Sequence, residues 1–75
     1  MGFFIDNFKY KVTFVGGEAL LVEGHKGVLM YGLDEVVLRI KGGRLIIQGN
    51  TLVIEEINGE EVFIKGKISH IEVGA

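Results

Sequence analysis

The alternation of apolar and polar positions along this chain has a period of two, broken every few residues by glycine. Phe8-Lys9-Tyr10-Lys11-Val12-Thr13-Phe14 alternates without a break, the pattern of a half-buried strand. Gly16-Gly17 ends it. Further runs at Ala19–Glu23, Val28–Tyr31, Glu35–Lys41, Arg44–Gln48, Thr51–Ile57, Glu61–Lys65 and Lys67–Val73 predict eight short strands in all. Val, Ile, Phe and Tyr supply most of the apolar side chains, which suits a pleated surface. No window sustains a helical stripe between breakers, so the expected class is all-β with no helix longer than a turn.

The turn residues sharpen this expectation. Asn58-Gly59 between two apolar runs is the strongest short hairpin signal, because a type I′ turn needs positive φ at both central residues. Gly49-Asn50 and Gly66-Lys67 also fit two-residue hairpin turns. The first would set Ile47 against Leu52 and Leu45 against Ile54. The second would set Ile64 against Ser69 and Val62 against Ile71. Both registers gather the larger apolar residues on one face.

A repeat of 17 residues runs beneath the pattern. Val28, Leu45 and Val62 correspond, as do Met30, Ile47 and Ile64, then Gly32, Gly49 and Gly66, then Val37, Ile54 and Ile71. An antiparallel meander with one hairpin per repeat would produce it, and so would a short β-solenoid with one rung per repeat. Each solenoid rung needs a neighbour, so three rungs are marginal, which favours the meander, curled into a small barrel or folded into a sandwich. Ile46, Val53 and Phe63 alternate with the predicted core set, as do Val22, Leu29 and Tyr31. Both faces of several strands are therefore apolar, and a flat sheet would need a dimer or a partner to cover them. Phe3, Phe4 and Ile5 precede the first predicted strand and are expected to cover an edge or an end, or to dock a partner.

Length narrows the picture further. A chain of 75 residues is one domain, spanning 1–75, and at this size a core often needs a disulfide, a metal or a partner. With no Cys there is no disulfide and no thiolate metal site. Apolar residues are 48% of the chain, which excludes intrinsic disorder and favours self-association or a protein partner. Net charge is -2, too little basic field to hold nucleic acid. Lys26, Arg39, Lys41, Arg44, Lys65 and Lys67 are scattered in sequence, and Tyr10, Tyr31 and Phe63 are the aromatic platforms a small nucleic-acid-binding barrel would use. The Ala19–Val22 run has four residues, far short of the ~20 that span a bilayer as a helix. The start lacks a basic region followed by an apolar stretch, and Asp6 replaces the Ser or Thr of a myristoylation motif. These features predict a cytoplasmic protein.

The search for chemistry returns little. His25 and His70 are 45 residues apart in a chain without Cys, whereas a metal needs three or four converging ligands, so no metal or cofactor is expected. His25, in Glu23-Gly24-His25-Lys26-Gly27, reads first as a turn histidine hydrogen-bonded to backbone. Ser69 and His70 are adjacent, which on a strand sends them to opposite faces and prevents a nucleophile–base pair. Gly66-Lys67 lacks the glycine spacing, the following Ser or Thr and the helix of a phosphate-binding loop. Glu55, Glu56, Glu60 and Glu61 form an acidic tip around Asn58-Gly59, either a solvated turn or a surface for a basic partner. No enzyme can be assembled from these parts.

Val22-Glu23-Gly24-His25-Lys26-Gly27-Val28-Leu29-Met30-Tyr31, followed by Glu35-Val36-Val37-Leu38-Arg39-Ile40, resembles consecutive segments of the YabP/YqfC family of sporulation proteins. Gly43-Arg44-Leu45-Ile46-Ile47-Gln48-Gly49-Asn50-Thr51-Leu52-Val53-Ile54 is similar to its Gly-x-Leu-x-Ile-x-Gly-x-x-Leu-x-Ile signature, and Ile64-Lys65-Gly66-Lys67-Ile68 to its closing Ile-x-Gly-x-Ile. YqfC-like members carry a longer N-terminal extension than this chain. The resemblance implies a non-catalytic accessory role in endospore formation in Gram-positive bacteria and, in the YqfC-like branch, a membrane-protein partner that would hold the chain at a membrane. It brings no catalytic residues. Combined with the residue reading, it predicts an interaction module that offers a sheet edge or face, with Glu23, His25, Lys26 and Tyr31, and secondarily Phe3 and Phe4, as the partner-binding residues. A homodimer, a self-assembling β-repeat protein and a small nucleic-acid-binding barrel are the other readings.

Overall fold

The structure is a computed structural model that describes residues 3–6, 10–16 and 18–74. Among the described residues there are seven strands and no helix: β1 Phe3–Asp6, β2 Lys11–Val15, β3 Ala19–Glu23, β4 Gly27–Tyr31, β5 Glu35–Ile40, β6 Gly43–Ile57 and β7 Glu61–Gly74. The all-β expectation holds, with differences that come from two long strands. Arg44–Gln48 and Thr51–Ile57 merge into β6, and Glu61–Lys65 and Lys67–Val73 merge into β7. Of the predicted first strand, Phe8 and Lys9 lie outside the described residues. Phe3–Ile5 falls in β1, which pairs antiparallel with β2 and covers that edge.

The strands form one sheet in the order β1-β2-β3-β7-β6-β5-β4. Every ladder is antiparallel, which excludes a solenoid of stacked parallel rungs. It is not a single meander either. Two meanders, β1-β2-β3 and β4-β5-β6-β7, are joined by the long-range β3–β7 ladder. The order ends at β1 and β4, so the sheet is open rather than a closed barrel.

Length forces this sheet to fold over. Fifteen residues of straight strand would reach about 50 Å. The whole molecule measures 27 × 27 × 22 Å. β6 and β7 must therefore bend, and they bend together. The first part of β6 carries β5, and the first part of β7 carries β3. The corner lies between them, where the β6–β7 register shifts between Asn50 and Val53. Gly49 and Gly66 make that corner sterically accessible. A Cβ on Gly49 would overlap the Lys67 carbonyl oxygen, and a Cβ on Gly66 would sit 2.7 Å from the Thr51 carbonyl oxygen. Gly66 also has φ +135, a conformation that side chains resist. These glycines mark close backbone approach rather than chain reversal.

Folding over brings two leaves face to face. Val12, Leu20, Val22, Val62 and Ile64 come from one leaf, and Val36, Leu38, Ile40, Leu45 and Ile47 from the other. Leu52 at the corner completes the cluster. All but Ile40, at 3%, are fully buried, each worth about 1.5–3 kcal/mol relative to exposure. The registers Leu20↔Ile64↔Ile54 and Val36↔Ile47↔Ile71 build the two inner faces. They replace the predicted pairs Ile47–Leu52, Leu45–Ile54, Ile64–Ser69 and Val62–Ile71.

Candidate partner-binding site

Residues 24–26 cross from one leaf to the other between β3 and β4, opposite the glycine corner. The Gly24 amide donates to the Glu60 carbonyl at 2.7 Å, and the Lys26 amide donates to the Arg39 carbonyl at 2.7 Å. One backbone bond thus goes to each leaf. His25 lies between them and is only 7% exposed. Its Nδ1 accepts from the Gly27 amide at 3.0 Å, so the ring proton sits on Nε2, which donates to the Asn58 carbonyl at 2.8 Å. With both nitrogens engaged by backbone, His25 is the turn histidine the sequence suggested, acting as a clasp between the β3–β4 loop and the β6–β7 hairpin.

Beyond the clasp runs β4, the terminal strand of its leaf. Val28, Leu29, Met30 and Tyr31 are 36–54% exposed, and Leu33 after them is 64% exposed. The register explains why. Val28 pairs with Leu38 and Met30 with Val37, so Leu29 is an inserted residue, a bulge. Past the bulge, Met30 shares the outer face with Val37 and Ile46, while Tyr31 shares the inner face with Val36. The corner end of this segment is tied down. Tyr31 Oη accepts from the Ile54 amide at 3.2 Å, the Leu33 carbonyl accepts from the Leu52 amide at 2.8 Å, and the Asp34 carbonyl accepts from the Gly49 amide at 3.0 Å. β4 is thus held at both ends, with apolar side chains exposed between.

The predicted residues fall in three places. Glu23 ends β3, half-buried and opposite Lys11 and Glu61; with buried His25 and exposed Lys26 it forms one short stretch at the clasp. Tyr31 lies at the far end of β4. Phe3 and Phe4 belong to β1, the opposite edge of the sheet order, and do not join the others along a ladder. Sequence reading missed Met30 and Leu33 as exposed positions. The 17-residue repeat aligns Met30 with Ile47 and Ile64, both fully buried, and only the bulge at Leu29 turns Met30 outward. It also treated the basic residues as scattered, whereas two of them meet across a ladder and the Lys26 amide bonds the Arg39 carbonyl. Arg39 and Arg44 are direct cross-strand partners.

Ser69 Oγ donates to the Gln48 carbonyl, and His70 contacts Glu72 at 3.4 Å. Among the described residues no group of three His, Asp or Glu converges as a metal site, and no helix is long and apolar enough to cross a membrane.

The YabP family matches this chain over residues 6–74. The uncharacterized protein YqfC of Bacillus subtilis (strain 168) is 38% identical over 58 residues, which are 77% of this chain and 62% of that protein. The chain therefore spans less than two thirds of that relative's length. No solved structure matches. With 69 consecutive positions matched, from the first ladder to the end of β7, the chain belongs to the YabP family.

Proposed function

We propose that this chain is a non-enzymatic accessory module of bacterial endospore formation that presents the β4 edge to a protein partner. The sporulation role rests on the family. The partner surface rests on one observation: a terminal strand whose consecutive apolar residues Val28–Tyr31 stay exposed while the core cluster between the leaves is buried. An edge strand offers unpaired backbone groups, and side chains on its two faces supply selectivity. The partner is a membrane protein of the sporulating cell, as the family resemblance suggests, and it would hold a cytoplasmic chain at the membrane. Lys26 and Tyr31 flank this surface, and Glu23 and His25 shape its start. Phe3 and Phe4 belong to the other edge and form a second, separate docking position.

The test is deletion of the gene in the source organism, scored as heat-resistant spores, followed by complementation. Wild-type chain restores spore yield, whereas Met30→Lys with Leu33→Lys, folded by circular dichroism, does not. Normal spores after deletion would overturn the sporulation reading. Full rescue by the folded double variant would overturn the β4 surface alone.

A further inference from the structure

The outer face of the leaf that ends at β4 carries two facing arginines. Arg39 on β5 and Arg44 on β6 stand directly opposite each other. Their row continues to Gly27 on β4 and Gly74 on β7, so both neighbours lack side chains. Like charges facing across a ladder are unfavourable. Among the described residues neither arginine is in an ion pair, so no carboxylate relieves them. Both are exposed, and they line one cleft with Leu29, Ile40, Gly42 and Gly43. Leu29, the bulge residue, is 46% exposed there.

The row leads straight to the free edge. Gly27 is its β4 residue, and beyond β4 the sheet order ends. A strand added to that edge lies about 4.8 Å from β4 and about 9.6 Å from β5. The residue it sets opposite Gly27 shares the outer face with Arg39. Gly27 puts no side chain between them, and even a Cβ there would have nothing within 4 Å. A long acidic side chain on the incoming strand therefore meets an arginine of β5 over a bare position. The rest of the face distinguishes this ligand from a polyanion. Glu35 lies on it in the row Glu35↔Gln48↔His70, and Glu72 in the row Met30↔Val37↔Ile46↔Glu72. A nucleic acid or an anionic membrane laid on the face would meet those carboxylates, whereas one carboxylate seated on the arginines does not.

We infer that the partner segment docked on β4 carries a glutamate opposite Gly27, its carboxylate held by the Arg39 and Arg44 guanidinium groups. This names the chemistry of the partner and rests on the reading of β4 as the partner surface. Planar guanidinium forks match the geometry of a carboxylate, and such charge-assisted bonds are about twice as strong as neutral ones. Leu29 beside them is covered when the segment docks, and the loss of water there strengthens the contact. The backbone of β4 holds the strand whatever its sequence, and the arginine row selects among strands by charge.

Two synthetic heptapeptides test the inference. Each alternates valine with threonine, beginning on valine, and its central threonine is replaced by glutamate in one and by lysine in the other. Titrated into the full chain and followed by amide chemical shifts, the glutamate peptide perturbs Val28–Tyr31 and binds about tenfold more tightly than the lysine peptide. Arg39→Gln with Arg44→Gln removes the preference, and Arg39→Glu with Arg44→Glu reverses it, each variant checked for folding by circular dichroism. Equal affinity of the two peptides for β4 would overturn the glutamate inference and leave the β4 edge standing. Peptides that leave β4 unperturbed would overturn it too, with the spore-rescue test deciding the edge separately. So would vesicles of phosphatidylserine and phosphatidylcholine that bind the wild-type chain and not the glutamine variant, which would assign the arginines to a membrane surface. If the reversal variant does not fold, the glutamine variant and the wild-type preference carry the same decision.

Discussion

Asn58-Gly59 and the pair Gly49-Asn50 with Gly66-Lys67 look alike in sequence and do opposite things. At the first the chain reverses; at the second two strands continue, bending together through a shared corner. Even the reversal works differently from its sequence signature. Neither Asn58 nor Gly59 has positive φ, so the turn is not of type I′. Asn58 acts through its side chain, whose Oδ1 accepts from the Glu60 amide at 2.9 Å and the Glu61 amide at 2.8 Å. The Asn58 amide closes the turn onto the Glu61 carbonyl at 2.8 Å. Gly59 is not crowded, with nothing within 4 Å of a built Cβ. Gly49 and Gly66 are crowded by each other's strands. A glycine next to a polar residue thus reports a missing Cβ, and only the surroundings say whether the chain uses that absence to turn or to approach another backbone.

The sharpest way to break this contrast is to add the Cβ. Gly66→Ala and Gly49→Ala should each cost about 3 kcal/mol or more, because backbone atoms rather than flexible side chains stand in the way. Thermal or urea unfolding reads the loss, and Gly59→Ala in the same assay should stay within about 0.5 kcal/mol. A costly Gly59→Ala beside a harmless Gly49→Ala would reverse the assignment of corner and turn. Next in size is the clasp. His25→Ala removes two bonds to backbone groups from a buried position, and about 2 kcal/mol of stability should go with them. Asn58→Ala should cost about 1 kcal/mol by freeing the two amides its side chain holds. Smallest is a gain. Thr51 has φ 56, a left-handed conformation disfavoured for a β-branched residue. Thr51→Asn should raise stability by about 0.5 kcal/mol, since Asn tolerates that region. A loss on that substitution would show that the Thr51 side chain is needed at the corner.

Strand content was legible because the period-two pattern is local. So was the core: Leu45, Ile47, Val62 and Ile64 were expected to share an inner face, and all four are fully buried. Their partners were not legible. Leu20↔Ile64 joins positions 44 residues apart, and no local pattern announces that ladder. The turn histidine was readable from its Gly-His-Lys-Gly setting, but its second partner, the Asn58 carbonyl, depends on the leaves meeting. The exposed β4 surface was hidden by the repeat itself, which gives Met30 the same phase as two core residues until the Leu29 bulge shifts it. The arginine pair was hidden for a simpler reason. Arg39 and Arg44 face each other only once Ile40 and Gly43 close the β5–β6 turn, and the Lys26 amide meets the Arg39 carbonyl only when the chain crosses between the leaves.

The folded-over sheet is the claim on which the β4 edge and the clasp both depend. Backbone nuclear Overhauser contacts test it most directly. The account predicts cross-strand contacts from Ile64 to both Leu20 and Ile54, and from Ile47 to both Val36 and Ile71. Contacts from Ile64 to Ser69 and from Ile47 to Leu52 would contradict it, restoring two-residue turns at both glycines and removing the corner.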